Sequence, residues 1–581
     1  MGARAPMQDA KMIIYDRTRT EAPLSGPLRP MGKGLHVHLD GRLRGKGGLY
    51  WEHEKALEHI AEAYREGSLK DKVPTWNAMF TAAVWDESKE TFTWITDRLA
   101  YHQHFFARTA SGFMISDRFK EVLAAVPSAS IDHTAALEFL RYRYLTGEET
   151  LCKEITSLPP AAITTIDLKE PELRLSSEVH FRFHHRPEER SLQEDALAYT
   201  ETLTQVLREE CESLAKGKSI QLTLTGGADS RFLFAILKGK LGRLDRTITF
   251  GAEGSEDLLI ARSIASAFQL PHTEVDLDKD IACFFDVEEM DHILSGIGHS
   301  TFHYQGYAME RMLSRADRQS ALMTGVDGFW LGLNAKPHHF DGSLLSSDLP
   351  GFLLKEQGAF LSASLTERLT GLSEKEQEKI LLAHLEPQIQ KGGDVYSAYM
   401  DWLFKNKARR YISADYGLSS RKVALHYPFD DHRLIDLALR MPAEHLLKQN
   451  VYMSAMMEHA FVGGMRELAN MPFEMAELKA YGDGSYQLVS APRPFLNRIL
   501  NKVKARPDHR QSYPIADYVY EHWASFERQF ETLLEASPSQ LIDHAELRTL
   551  VKEMRTKDMY FFHKPLSSIL SLMRMEQWLK S

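Results

Sequence analysis

Ser219-Ile220-Gln221-Leu222-Thr223-Leu224-Thr225-Gly226-Gly227-Ala228-Asp229-Ser230-Arg231-Phe232 is the stretch from which the rest of the 581-residue chain can be read. An apolar run enters Thr-Gly-Gly-x-Asp-Ser and leaves as a helical pattern. Two glycines let the backbone turn tightly and approach a ligand closely. A helix starting there aims unpaired N–H groups and its positive dipole end at an anion. Thr225 and Ser230 add hydroxyl donors, and Asp229 can hold a magnesium ion against a phosphate tail. The stretch is a cradle for pyrophosphate. It lacks the Gly-Lys-Ser/Thr ending of the common phosphate loop. A plain strand–turn–helix is the alternative reading of these six residues.

Outward from the loop, helices and strands alternate. Helical patterns cover 192–214, 231–238 and 258–268, and strand patterns cover 219–225, 246–250 and 272–276. That pitch implies βαβ units and a parallel sheet. From about residue 398 the pattern is mostly helical. Before Pro187 the texture differs. A strand over 35–43 precedes an amphipathic helix over 52–67, then strands over 78–85, 91–95 and 112–116, with turns at 86–89 and 107–111. A single core rarely grows beyond ~250–300 residues, so two domains are expected, 1–187 and 188–581. Residues 491–510 read as a surface loop or lid.

The formal net charge is -10, spread along the chain. It argues against a nucleic-acid partner, which calls for a basic face. Cys152, Cys211 and Cys283 form no CxxC pair and suggest neither zinc nor a disulfide framework. A reduced, cytoplasmic protein is expected. The sequence shows no secretion signal and no run of ~18 apolar residues, so no membrane partner is expected. His36 and His38, His184-His185 and His338-His339 have no third ligand at a recognised metal spacing and read as structural or surface residues.

Residues 222–231 resemble the pyrophosphate loop of the asparagine synthetase family, whose usual form is Ser-Gly-Gly-x-Asp-Ser. Thr225 keeps the first hydroxyl. Thr249-Phe250-Gly251-Ala252-Glu253-Gly254-Ser255-Glu256-Asp257 resembles the family's second strand, which ends beside the adenine before an acidic pair opens the next helix. Ser255 is a natural N-cap there, and both acids also suit the first helical turn. Tyr427-Pro428-Phe429-Asp430-Asp431-His432-Arg433-Leu434-Ile435, running to Met441-Pro442, is similar to the family's Pro-Phe-x-Asp helix, and Arg409-Arg410-Tyr411-Ile412 to its lead-in. Ala82–Asp86, Asp97-Arg98-Leu99 and 113–120 resemble the skeleton of a class II glutamine amidotransferase. The resemblance implies an N-terminal α+β, Ntn-type amidotransferase-like sandwich. A parallel-sheet adenine-nucleotide α-hydrolase-like ATP-pyrophosphatase domain with a helical C-terminal part follows it. It also implies ATP and Mg2+. Adenine would lie near Leu224 and Phe250, with phosphates on Thr225, Gly226, Gly227, Asp229 and Ser230 beside Thr324 and Gly325.

Departures from the family shape the expected function. Gly2 stands where working amidotransferases carry their cysteine nucleophile, and no cysteine precedes Cys152. The expectation is an enzyme that does not hydrolyse glutamine. In this family that loss accompanies β-lactam synthetases and lasso-peptide cyclases, which join an amine and an activated carboxylate of one molecule. In the fourth strand Thr324-Gly325 match, but Phe329 and Trp330 fall where the family has Asp-Glu. Asp327 can serve as the second magnesium ligand beside Asp229, or it is a turn residue. The family's C-terminal lysine falls on Ser454, with Lys448 as the nearby substitute. The expected activity is ATP-dependent amide-bond formation through an acyl-adenylate, with Asp229, Ser230 and Lys448 catalytic. Macrolactam closure of a peptide is favoured. Intermolecular amidation of a small metabolite or sugar acid, and a non-catalytic scaffold, are the alternatives. The expected partners are a peptide or small-molecule carboxylate and a precursor-peptide protease or recognition protein.

Overall fold

The computed structural model describes residues 12–18, 24–44, 49–170, 172–213, 218–326, 328–358, 360–473, 476–480, 486–490, 513–537, 541–556 and 563–580. Gly2, Asp327, 491–510 and the aromatic run Tyr560-Phe561-Phe562 lie outside them.

Strand alternation builds the front half. Leu35, Val37 and Leu39 point one way from strand Leu35–Gly41 and pack under helix His53–Arg65 through Leu57, Ile60 and Ala61. His36, His38 and Asp40 occupy the alternate positions, as a period of two requires. Among the described residues two antiparallel sheets form. One runs, in order, Leu24–Ser25, Ile13–Asp16, Gly112–Ser116, Phe105–Arg108, Ile155–Ser157. The other runs Leu175–Val179, Ala162–Asp167, Thr91–Thr96, Phe80–Asp86, Leu35–Gly41, Arg29–Pro30. Phe92, Trp94, Phe106, Phe113 and Ile115 fill a core with residues from both sheets, the α+β sandwich expected. Strand Phe105–Arg108 was not legible. The pattern puts a turn over 107–111, whereas the reversal is tighter, closed by the Thr109 N–H on the Gly112 carbonyl at 2.9 Å.

The second half carries a wholly parallel sheet in the order His272–Asp276, Arg246–Gly251, Ile220–Thr223, Ala321–Met323, Ala424–His426. In chain order this is 3-2-1-4-5, which reverses direction beside the first strand. Ligands of open α/β sheets bind beyond the carboxyl ends of the strands at such a switch point. The loop over residues 225–230 leaves the first strand there, and Thr324-Gly325 leaves the fourth. The helix after the loop begins at Ala228, three residues before the apolar periodicity starts, because its first turn faces the loop rather than the core. The C-terminal part is helical, as expected, except for the fifth strand and a hairpin of Ala476–Ala480 with Tyr486–Ser490.

The halves interlock through buried arginines. The Arg409 guanidinium donates to the carbonyls of Ala100 (3.2 Å) and Leu158 (2.7 Å) and to the Ser157 hydroxyl (2.8 Å). Arg410 donates to the carbonyls of Thr146 (3.1 Å), Gly147 (3.0 Å) and Glu149 (2.9 Å). Both side chains are fully buried. Asp431 caps helix His432–Ala438 and also accepts from Asn77 at 3.0 Å and from Arg44, both in the front half.

Candidate active site

The loop is braced from three sides. The Ser230 hydroxyl receives the Thr225 N–H at 3.1 Å, and the Thr225 hydroxyl receives the Gly227 N–H at 3.1 Å. Asp257, second of the acidic pair, accepts the Gly226 N–H at 2.7 Å. From behind, the buried Arg231 guanidinium donates to the carbonyls of Gly226 (3.2 Å), Leu468 (3.0 Å), Met471 (3.1 Å) and Pro472. It lies 3.9 Å over the Phe473 ring. Ser255 occupies the N-cap position before Glu256, but its hydroxyl makes no capping bond.

Gly325 and Gly328 let the fourth-strand turn press on the loop. A Cβ on Gly325 would sit 2.9 Å from the Ser230 nitrogen, and one on Gly328 2.2 Å from the Asp229 carboxyl. Thr324 is tied to the fifth strand by its N–H on the His426 carbonyl at 3.1 Å. Thr225, Gly226, Gly227, Asp229, Ser230 and Gly325 are thus gathered at one point. Phe250 lies one residue before the end of the second strand, half-buried. Leu224 is fully buried, donates its N–H to Ile248 and accepts the Thr249 hydroxyl on its carbonyl, so it serves as core. Lys448 is exposed on a turn with left-handed backbone (φ 54°), packed by helix Trp330–Asn334. Ser454 is buried.

Asp229 stands against aromatic rings. Tyr452 donates its hydroxyl to the Asp229 carboxylate at 2.5 Å. Phe329 stacks on Tyr452 at 5.6 Å and 6°, while Tyr199, Phe232 and Phe429 complete the wall. Phe329 holds a left-handed φ of 45°. Burial pushes the Asp229 carboxyl up to about 7 against the lowering pull of the Tyr452 hydrogen bond. Magnesium on a triphosphate requires only one or two protein carboxylates, water and phosphate oxygens supplying the rest. Asp229 fits that need. Tyr452 carries no motif signal and was missed by sequence reasoning.

A cavity of about 210 Å³ lies between the halves, lined by Asp40, Arg44, His102, Arg421, Tyr427 and Asp430 among others. His102 bridges two carboxylates, Asp40 at 2.8 Å and Asp117 at 3.1 Å, and Arg421 holds Asp117 at 2.7 Å. Burial alone would lower the His102 pKa, but Asp40 and Asp117 raise it to about 9. Cys152 is buried, and burial pushes its thiol up to about 12, which makes it a poor nucleophile. His36, stacked on Trp85, bonds Glu87, and His38 bonds the Pro27 carbonyl.

The parallel sheet with its loop at the switch point defines a nucleotide-handling α/β domain behind an Ntn-type sandwich. The asparagine synthase family model matches residues 202–455, and the glutamine amidotransferase domain model matches residues 36–176. The chain is an asparagine synthetase-family protein. No curated protein matches it significantly. Among solved structures it is similar to the allosteric regulatory enzyme of purine biosynthesis, at 8% identity and TM-score 0.19, over 42% of this chain and 62% of that one. It is also similar to glutamine phosphoribosylpyrophosphate amidotransferase from B. subtilis complexed with ADP and GMP, at 8% identity and TM-score 0.18, over 64% and 77% of the two chains. The chain thus spans less than two thirds of the first of these. The synthase match supports an ATP-dependent amidation or ligase kind of function.

Proposed function

We propose that the protein uses ATP to activate a substrate carboxylate and joins it to an amine without hydrolysing glutamine. In this reading the carboxylate attacks the α-phosphorus of ATP, pyrophosphate leaves, and an amine displaces AMP from the acyl carbon. The observation that carries it is the braced loop. Asp257 and Arg231 fix Gly226 from opposite sides, so the first helical turn after it is pre-set to receive phosphate oxygens without reorganisation. Ser230 and Thr225 offer hydroxyls to the same tail. Asp229 would hold Mg2+, which supplies neutralisation of the phosphate charge. Glutamine independence is supported by the burial of Cys152, which pushes its thiol up to about 12 and disfavours the nucleophilic thiolate. Peptide macrolactam closure, with a precursor-peptide protease or recognition protein as companion, is the favoured form of the reaction.

A linear peptide bearing a free amino terminus and a side-chain carboxylate, incubated with ATP and Mg2+, tests this. The expected result is loss of one water from the peptide with AMP and pyrophosphate in equal amounts, abolished in Asp229→Ala. Glutamate release from glutamine, or pyrophosphate release unchanged in Asp229→Ala, overturns the respective part. A second reading, nucleotide binding without turnover, is favoured by Phe329 standing where the family has an acid and stacking on Tyr452. Binding of ATP by calorimetry with no pyrophosphate exchange, whatever carboxylate is offered, would select it.

A further inference from the structure

We propose that Asp40, His102 and His104 form a binding site for a divalent transition-metal ion, zinc foremost, in the front domain. The inference goes beyond the ATP-dependent reading and does not depend on it. One ligand atom from each of the three residues lies within 4.8 Å of the other two, and all three residues are buried. Asp40 is distant in sequence from His102 and His104, which are two residues apart. Strand Leu35–Gly41 delivers Asp40 on its inner face, and the segment entering strand Phe105–Arg108 delivers His102 and His104 at alternate positions.

The ring nitrogens are sorted as metal ligands require. A metal-bound histidine donates its other ring N–H to a carbonyl or carboxylate, which fixes its orientation. His104 Nδ1 lies 3.1 Å from the His102 carbonyl, and its Nε2 is buried with no hydrogen-bond partner among the described residues. His104 is 1% exposed, so no solvent compensates that nitrogen. His102 Nε2 lies 3.1 Å from Asp117, itself anchored by Arg421 at 2.7 Å. That leaves His102 Nδ1 facing the Asp40 carboxylate at 2.8 Å. Two imidazoles, each with its support in place, and one carboxylate match the donor set of zinc and ferrous sites. A metal ion would take the place of the proton shared between His102 and Asp40, as ligand binding to metals releases protons. Asp40 and His102 also line the cavity between the halves, so a fourth position can open onto water there.

The test uses the full chain, treated with chelator and titrated with Zn2+, and with Co2+ as a spectroscopic probe. The expected result is one tightly held ion per chain, cobalt bands of nitrogen–oxygen coordination, and a raised melting temperature with Zn2+. Asp40→Asn and His104→Gln should each weaken binding by about 100-fold or more, and Asp117→Asn by ~10–100-fold. Circular dichroism checks that each variant is folded, and Asp40→Asn, which keeps the side-chain shape, decides the matter if His104→Gln does not fold. No stoichiometric Zn2+ on the wild type, or equal binding by wild type and Asp40→Asn, overturns the proposal.

Discussion

Replacing Asp229 with asparagine keeps the outline of the side chain and removes its charge. In the folded protein burial pushes this carboxyl from 3.8 to about 7, the Tyr452 hydroxyl recovering only part of the penalty. In the unfolded chain it titrates near its ordinary value. The folded protein therefore binds this proton more tightly than the unfolded one, so the contribution is most favourable below about pH 4. It is lost progressively as pH rises through about 7. A displacement of that size corresponds to ~4 kcal/mol, and the partial exposure of the side chain reduces the expected value to about 2–3 kcal/mol. Asp229→Asn should match wild type in nucleotide-free stability near pH 4–5 and exceed it near pH 8, by a few degrees in melting midpoint. Taking the difference between the two proteins at each pH cancels every other titrating group not coupled to this one. The same variant should bind Mg2+-ATP far more weakly. A stability difference that is flat with pH, or an asparagine variant less stable than wild type at pH 8, would refute the view that this acid is held in an unfavourable place for a ligand.

Tyr452→Phe removes a hydrogen bond that lowers the Asp229 pKa, so the pH midpoint for Mg2+-ATP binding, followed by calorimetry, should move upward. Arg410→Met leaves three buried carbonyls without their donor; about 3 kcal/mol or more of stability should be lost, and limited proteolysis should begin to separate the halves. Burial would raise the Asp431 carboxyl, but Arg433 and Arg44 hold it at about 2, below its ordinary 3.8. Its contribution is present above about pH 4 and lost as pH falls through about 2. Asp431→Asn should therefore cost ~2 kcal/mol at neutral pH, read by thermal melting, and should flatten the acid limb of the stability curve.

The elements around the loop were legible because each carries its own period. The third strand of the parallel sheet coincides with its sequence pattern, and helix Glu256–Ala267 starts two residues before its pattern, at its two acids, and ends one residue before it. Strand Phe105–Arg108 escaped because it is short and its last two residues run straight into Thr109-Ala110-Ser111, which read as a turn. The site was legible where backbone chemistry demands particular residues, as with Gly226, Gly227 and Gly325. It was illegible where distant side chains converge. Nothing in the helical texture around Asn450–Ser454 singles out Tyr452 as the partner of Asp229. Likewise, His102 and His104 follow a motif segment without belonging to it, and only the sheet pairing brings them to Asp40. Asp257 had two local readings, helix-end charge and function, and the structure adds a third, a brace for Gly226.

Arg409 and Arg410 have a consequence for inheritance. Their positive charges are solvated by main-chain carbonyls of the front half. A descendant that shed that half would strand two guanidinium groups in a dry seam, a fault that no single compensating substitution repairs. The front half therefore serves as the lining of its neighbour's interior, whether or not it performs chemistry of its own.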